Sequence, residues 1–217
     1  MMLGLRASGI WKSYNGNEVL HDCSFSFSEQ GVYVLTGPNG CGKSTFLRIC
    51  ALIEAPGRGE INYFSNGNVV KADLKLKRRI TLVLPRVGVF NTTAFKNVAY
   101  GLSIRGIKGR EREEKVNKAL EFVGLGHKSD QNARTLSSGE AQRLGIARAL
   151  VIEPEVLFLD EPTASVDQRN TQIIEDIILK MKEGRSSTVI ITTHDRAQAE
   201  RLADHSLAIK DGRVVSI

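Results

Sequence analysis

Gly37-Pro38-Asn39-Gly40-Cys41-Gly42-Lys43-Ser44-Thr45 follows the pattern G-x-x-x-x-G-K-[ST], the spacing of a loop that wraps a polyphosphate. The glycines let the chain turn its backbone N–H groups inward, where they ring the phosphates. Lys43 brings a point charge to the β- and γ-phosphates, and Ser44 offers a hydroxyl to Mg²⁺. A helix beginning near Lys43 adds the positive end of its dipole. The flanks agree with this reading. Gly31-Val32-Tyr33-Val34-Leu35-Thr36 reads as a short buried strand, and Phe46-Leu47-Arg48-Ile49-Cys50-Ala51-Leu52 has helix-like composition. A chance glycine-rich turn would not need a strand before it and a helix after it.

The chain has 217 residues, enough for one large domain or a core with a subdomain. Hydrophobic residues make up 41% and charged residues 25%, as in a soluble globular protein. No apolar run approaches ~18 residues, which excludes a membrane-spanning helix. Met1-Met2-Leu3-Gly4-Leu5-Arg6 lacks the basic-then-apolar layout of a signal peptide. Cys23, Cys41 and Cys50 form an odd set without metal spacing and read as reduced thiols of a cytosolic protein. Cys41, inside the loop, reads as a small tolerated side chain, with redox sensing as the alternative. The net charge of +6 suits phosphate ligands or an anionic membrane face, and also nucleic acid. Aromatics at 6% argue against base-stacking platforms, so we expect no nucleic-acid partner. The basic residues gather at Lys71 to Arg79 and Lys108 to Lys115; the second run, interrupted by Glu111, Glu113 and Glu114, reads as a solvated helix face.

The first thirty or so residues carry short β-like runs with turn signals such as Asn15-Gly16-Asn17. Ile61 to Phe64 and Val69-Val70, split by Ser65-Asn66-Gly67-Asn68, form an expected hairpin, and Ile80 to Leu84 another strand. From about 92 to 152 the period is helical. Arg110 to Phe122 is one expected helix, with Val116, Ala119, Leu120 and Val123 on one face, and Ser138 to Ile152 a second, closed by Pro154. Val156 to Leu159 and Thr188 to Thr192 are near-continuous apolar runs, the mark of strands buried on both faces of a parallel sheet. Asn170 to Met181 lies between them with helical period, and the tail is a hairpin turning at Asp211-Gly212. The alternation predicts an α/β fold, a sheet with flanking helices plus a helical insertion, and no further C-terminal domain.

A second constellation lies at Val156-Leu157-Phe158-Leu159-Asp160-Glu161-Pro162-Thr163. Asp160, at a strand's carboxyl end, can reach Mg²⁺ through water, and Glu161 can take a proton from an attacking water. Pro162 biases Glu161 away from helix. An acidic pair after a strand is also what a plain turn carries; the phosphate loop upstream favours the catalytic reading. His194 follows another apolar strand and can donate to the γ-phosphate or orient the water, with a packed surface histidine as the alternative. Leu136-Ser137-Ser138-Gly139-Glu140 opens a helix, and Ser137 with Glu140 fits a capping box, S-x-x-E, which is a complete structural explanation. The functional alternative is that this helix end faces a phosphate.

Together these segments resemble the ATP-binding subunit of ABC transporters, from Tyr14 to Gly212. Tyr14 matches the aromatic that stacks on adenine, Gly37 to Thr45 the Walker A loop, and Leu136 to Glu140 with Gln142-Arg143 the family signature. Val156 to Glu161 matches Walker B with its catalytic glutamate, Ala164-Ser165-Val166-Asp167 the D-loop, and His194 the switch histidine. The resemblance implies a P-loop NTPase core (RecA-like, with a mostly parallel sheet), carrying an antiparallel β subdomain and an inserted helical subdomain. Core and β subdomain would occupy 1–84 and 153–217, and the helical part 85–152. It implies ATP with Mg²⁺ held by Ser44 and Asp160, catalysis by Lys43, Glu161 and His194, and a head-to-tail homodimer. In that dimer Ser137, Ser138, Gly139 and Glu140 would serve the partner's ATP. It further implies a transmembrane permease, an extracytoplasmic solute-binding protein reached through it, and a cytoplasmic place on the inner face of the membrane.

There are departures. The family places glutamine at the end of the strand Ile80 to Leu84, where it touches Mg²⁺ and the attacking water; here that position is Pro85, which has neither side-chain donor nor acceptor. Ser138 replaces the signature's first glycine, and Glu140 its glutamine. The short chain is similar to simple importer ATPases, and Phe90 to Leu102 resembles those of tungstate and related oxyanion importers. A soluble ABC ATPase without transport and an exporter ATPase stay open as alternatives, as does a P-loop kinase, against which the signature and Glu161 argue.

Overall fold

The apolar runs Val32–Thr36 (β3), Val156–Asp160 (β7) and Thr188–Thr193 (β8) become neighbouring parallel strands, buried along their whole length. The computed structural model describes residues 3–184 and 187–217; Met1 and Met2, part of the amino-terminal stretch read as lacking a signal layout, lie outside the described residues. These three strands belong to a six-stranded sheet of order β10-β9-β3-β8-β7-β6, completed by Ile80–Val83 (β6), His205–Lys210 (β9) and Arg213–Ser216 (β10). β9 runs parallel to β3, and β10 turns back antiparallel through Asp211-Gly212, as the Asp-Gly signal predicts.

A second sheet, of order β2-β1-β4-β5, is antiparallel throughout: Leu3–Tyr14 (β1), Asn17–Phe27 (β2), Arg58–Ser65 (β4) and Asn68–Val70 (β5). The sequence suggests short runs over the first thirty residues; the structure has two long strands. Their alternation is broken by register shifts around Ala7, Ile10 and Lys12, so the period of two never runs long enough to read as one element. One apolar core joins both sheets, from Leu5, Ile10 and Leu20 to Phe46, Leu47, Phe158 and Ile190.

The described residues form two compact units, 3–82 with 155–161, 182–184 and 187–217, and 83–154 with 162–181. The first holds both sheets and the helix Lys43–Cys50 (α1), with Leu74–Lys77 (α2) and Arg196–Leu202 (α7). The second is helical: Ala94–Ile104 (α3), Gly109–Phe122 (α4) and Ser138–Leu150 (α5) pack on one another, and Gln168–Gly184 (α6) lies mostly within it. The buried Val116 and Leu120 of α4 fall on the face the period predicts. Arg143 of α5, nearly buried, donates to the carbonyls of Val123 (2.7 Å) and Gly124 (3.2 Å), which closes the end of α4.

Candidate active site

In a parallel sheet all strands leave at the same end, and ligands gather outside those carboxyl ends. Register makes this concrete. Thr36 of β3 lies opposite Thr193 of β8, and Asp160 of β7 opposite Thr192 of β8. Gly37, Glu161 and His194, each one residue past its strand, therefore emerge side by side.

The loop leaves β3 at Gly37 and enters α1 at Lys43, with Gly42 at the N-cap in the left-handed region (φ 104°). A Cβ on Gly42 would stand 2.7 Å from Leu20 Cδ2, so both conformation and packing require glycine there. The amides of Lys43, Ser44 and Thr45 open the helix and have no acceptor within it; Phe46 N–H makes the first helical bond, to Gly42 O. Lys43 is 4% exposed. Its ammonium donates to the carbonyls of Gly37 (2.8 Å) and Pro38 (3.1 Å) and lies 3.3 Å from Glu161 Oε1. Pro38, Asn39, Gly40 and Cys41 make the arch between them, with Gly40 also at positive φ and Cys41 N–H reaching Pro38 O.

Asp160 is buried, and its Oδ1 accepts from Ser44 Oγ (2.8 Å) and from Thr192 Oγ1 (2.7 Å). Thr192 also accepts from the Glu161 N–H at 2.9 Å, which holds Glu161 in a left-handed turn (φ 43°). Pro162 behind Glu161 disfavours right-handed helix there, and the left-handed turn departs from the extended backbone that a residue before proline prefers. His194 Nδ1 stands 3.7 Å from Glu161 Oε2, with the ring about half exposed. The structure thus brings Lys43, Ser44, Asp160, Glu161 and His194 together. Thr192 was not legible as a site residue, because a threonine in an apolar run signals nothing until its register against Asp160 is known.

Tyr14 ends β1 within the same unit, half exposed, with its hydroxyl on Glu54 Oε1. The signature residues belong to the second unit. Ser137 caps α5: its Oγ accepts from Glu140 N–H (3.3 Å), and Glu140 Oε2 accepts from Ser137 N–H (3.0 Å), the reciprocal box that the spacing predicts. Lys128 donates to Glu140 Oε1 at 2.6 Å and holds its carboxyl below the usual range. The lysine neutralises the charge that Glu140 introduces where the family has glutamine. Gly139 lies where a Cβ would stand 2.2 Å from Asn170 Cγ. Asn170 in turn binds both oxygens of Asp167, through N–H (2.9 Å) and Nδ2 (2.8 Å), and its backbone amide foremost keeps that carboxyl low. Pro85 is half-buried, just beyond β6, next to Leu84, whose carbonyl accepts from Gln142 Nε2 at 3.4 Å.

A strand-loop-helix phosphate cradle, a second strand ending in two carboxylates and a cap-bearing signature helix define an ATPase of the ABC class. The family described as ABC transporter matches residues 20–164, and the chain belongs to it. It is 38% identical over 226 residues to a phosphate import ATP-binding protein, PstB 2, of Natronomonas pharaonis, covering 98% of this chain and 78% of that one. It is 36% identical over 210 residues to the tungstate uptake system ATP-binding protein TupC of Peptoclostridium acidaminophilum, covering 97% and 96%. Among solved structures it is similar to cbiO1 of Clostridium perfringens, described as part of the ABC transporter complex cbiONQ, with a TM-score of 0.85, 28% identity and coverage of 97% and 86%. The chain is an ATP-binding, ATP-hydrolysing subunit of a transporter. No helix among the described residues is long and apolar enough to cross a membrane.

Proposed function

We propose that this chain hydrolyses ATP at the exits of β3, β7 and β8 and passes the resulting motion to a separate permease that imports an inorganic oxyanion. The observation that carries the catalytic part is the pairing of Lys43 with Glu161 at 3.3 Å beside that of Ser44 with Asp160 at 2.8 Å. A triphosphate on the loop amides competes with Glu161 for the Lys43 ammonium. The carboxylate so released accepts a proton from water. The water oxygen bonds to the γ-phosphorus, the bond from that phosphorus to the β–γ bridging oxygen breaks, and ADP and phosphate result. Thr192 holds Glu161 in place, and His194 orients the water or donates to the γ-phosphate.

The Ser44 hydroxyl and Asp160 carboxylate are hard oxygen donors, and no cluster of three or more His, Cys, Asp or Glu that could hold a metal occurs among the described residues. That donor set fits Mg²⁺, which takes one or two protein oxygens and completes its shell with phosphate and water. Bound there, Mg²⁺ would neutralise charge on the β- and γ-phosphates.

Tyr14 is read as the adenine platform, and Ser137 to Glu140 with Asp167 as elements of a head-to-tail dimer in which each signature meets the partner's ATP. Closure on ATP and opening after hydrolysis would move the permease between two states. A peripheral place on the inner membrane face and an extracytoplasmic binding protein follow from the importer reading. Its support is that relatives along nearly the whole chain are named for phosphate import and tungstate uptake.

The test is Glu161→Gln in the subunit co-purified with its permease. ATP hydrolysis should fall by ~100-fold or more, as removal of a general base does, while ATP still binds. Wild-type turnover in that variant would refute the mechanism. Tungstate, molybdate and phosphate uptake in proteoliposomes then decides the solute, and a subunit that co-purifies with no multi-spanning protein refutes transport.

A further inference from the structure

The phosphate-binding helix and the end of β1 are tied together by one carboxylate. Glu54 Oε1 accepts from the Tyr14 hydroxyl (2.5 Å) and from Lys12 Nζ (2.9 Å), and Glu54 Oε2 accepts from Arg48 Nε (3.2 Å). Lys12 also donates to Ala55 O at 2.8 Å, and its ammonium lies 5.4 Å from the centre of the Tyr14 ring. Arg48 belongs to α1, five residues after Lys43, and its Nη2 reaches back to Thr45 Oγ1 at 3.4 Å. Lys12 and Tyr14 belong to β1. Three donors from two elements therefore converge on two oxygens that are largely shielded from solvent. Burial alone would raise the Glu54 carboxyl, but the Tyr14 hydroxyl and the two cations outweigh it, and the group sits below its usual range.

Tyr14 is otherwise a half-exposed ring at a strand end, and such a side chain would sample several rotamers. The tether removes that freedom and sets the ring at a fixed distance from the helix whose first turn faces the phosphates. We propose that Glu54 is a positioning residue for nucleotide binding, which holds the Tyr14 ring as a ready-made platform for the base at a set separation from the phosphate loop. The inference rests on the reading of Tyr14 as the adenine platform. Its energetic content is pre-organisation: freezing one rotamer-rich side chain on binding costs a factor of about 3 to 10 in affinity, and Glu54 removes that cost beforehand.

The experiment measures ATP hydrolysis and inhibition by inorganic tripolyphosphate, which has the phosphates and no base, for Glu54→Gln, Tyr14→Phe, the double variant and Tyr14→Ala. Each of the first two should raise the KM for ATP about 3- to 10-fold with kcat little changed, and the double variant should be no worse than either alone. Tripolyphosphate inhibition should stay at the wild-type level in all four. Multiplying effects in the double variant, or weakened tripolyphosphate inhibition in Glu54→Gln, would overturn the inference, because Glu54 would then act on the phosphate helix and not through Tyr14. Tyr14→Ala tests the underlying reading separately. If it weakens ATP no more than tripolyphosphate, Tyr14 is not the base platform and the inference falls with it.

Discussion

Thr192→Val removes one hydroxyl from the centre of the site while keeping the shape of the side chain. Thr192 is fully buried, donates to Asp160 Oδ1 at 2.7 Å and accepts from the Glu161 N–H at 2.9 Å. A hydrogen bond to a charged acceptor contributes about 1.5–3 kcal/mol, and a neutral one about 0.5–1.5. Ser44 still donates to the same Asp160 oxygen, so the loss belongs at the lower end, ~2–3 kcal/mol. Thr192→Ser is the control. It keeps both bonds and loses a buried methyl, ~1 kcal/mol. Valine should therefore be the more destabilising change by ~1–2 kcal/mol in chemical denaturation. The larger effect should be on turnover. Glu161 holds a left-handed backbone (φ 43°) that a non-glycine residue keeps only when its surroundings enforce it. Without the Thr192 acceptor its carboxylate drifts, and a misplacement of ~1 Å costs up to about 100-fold. Steady-state phosphate release should thus fall ~10- to 100-fold in Thr192→Val and much less in Thr192→Ser. If valine matches or exceeds serine in both stability and turnover, the reasoning is wrong.

Pro85→Gln restores a side-chain amide where this chain has none, and should change either basal ATP hydrolysis or its stimulation by the permease; identical rates in both assays count against a role for that position. Gly139→Ala would put a Cβ 2.2 Å from Asn170 Cγ and 2.5 Å from Asn170 Cβ. The resulting strain should cost about 1–3 kcal/mol, read as a lowered thermal midpoint, and an unchanged midpoint would show that the α5–α6 contact yields freely. Lys128→Met tests the charge compensation of Glu140. Because Lys128 depresses the folded-state pKa of that carboxyl, the pair's stabilisation is complete above the ordinary carboxylate value of about 4.3 and fades as pH falls through the lower folded value. The gap in thermal midpoint between wild type and Lys128→Met should therefore be constant near neutrality and close on acidification below about pH 4. A gap that persists there would assign the lysine a role other than pairing.

Chain order and local chemistry are legible residue by residue. The spacing from Gly37 to Thr45 calls for a strand before it and a helix after it, the context in which this motif turns its amides to phosphate. The near-continuous apolar runs from Val156 to Leu159 and from Thr188 to Thr192 imply strands covered on both faces. Ser137 and Glu140, three apart, specify a helix start through bonds that close within four residues. Asp211-Gly212 specifies a turn through its own backbone preference. Each of these is decided by residues that are neighbours in the chain.

Register and convergence are decided elsewhere. Asp160 and Ser44 are 116 positions apart, and Thr192 is 32 from Asp160, yet all three share one oxygen. Only the strand order β3-β8-β7 makes that possible. The same holds for Glu54, whose partners Lys12 and Tyr14 lie on a strand and Arg48 on a helix, 34 to 36 residues further along the chain. Local preference acts over a few bonds, so composition and spacing determine which elements exist and what chemistry they carry. Which side chains share a hydrogen bond depends on how the strands pair and in what register, and only burial of the joined core sets that.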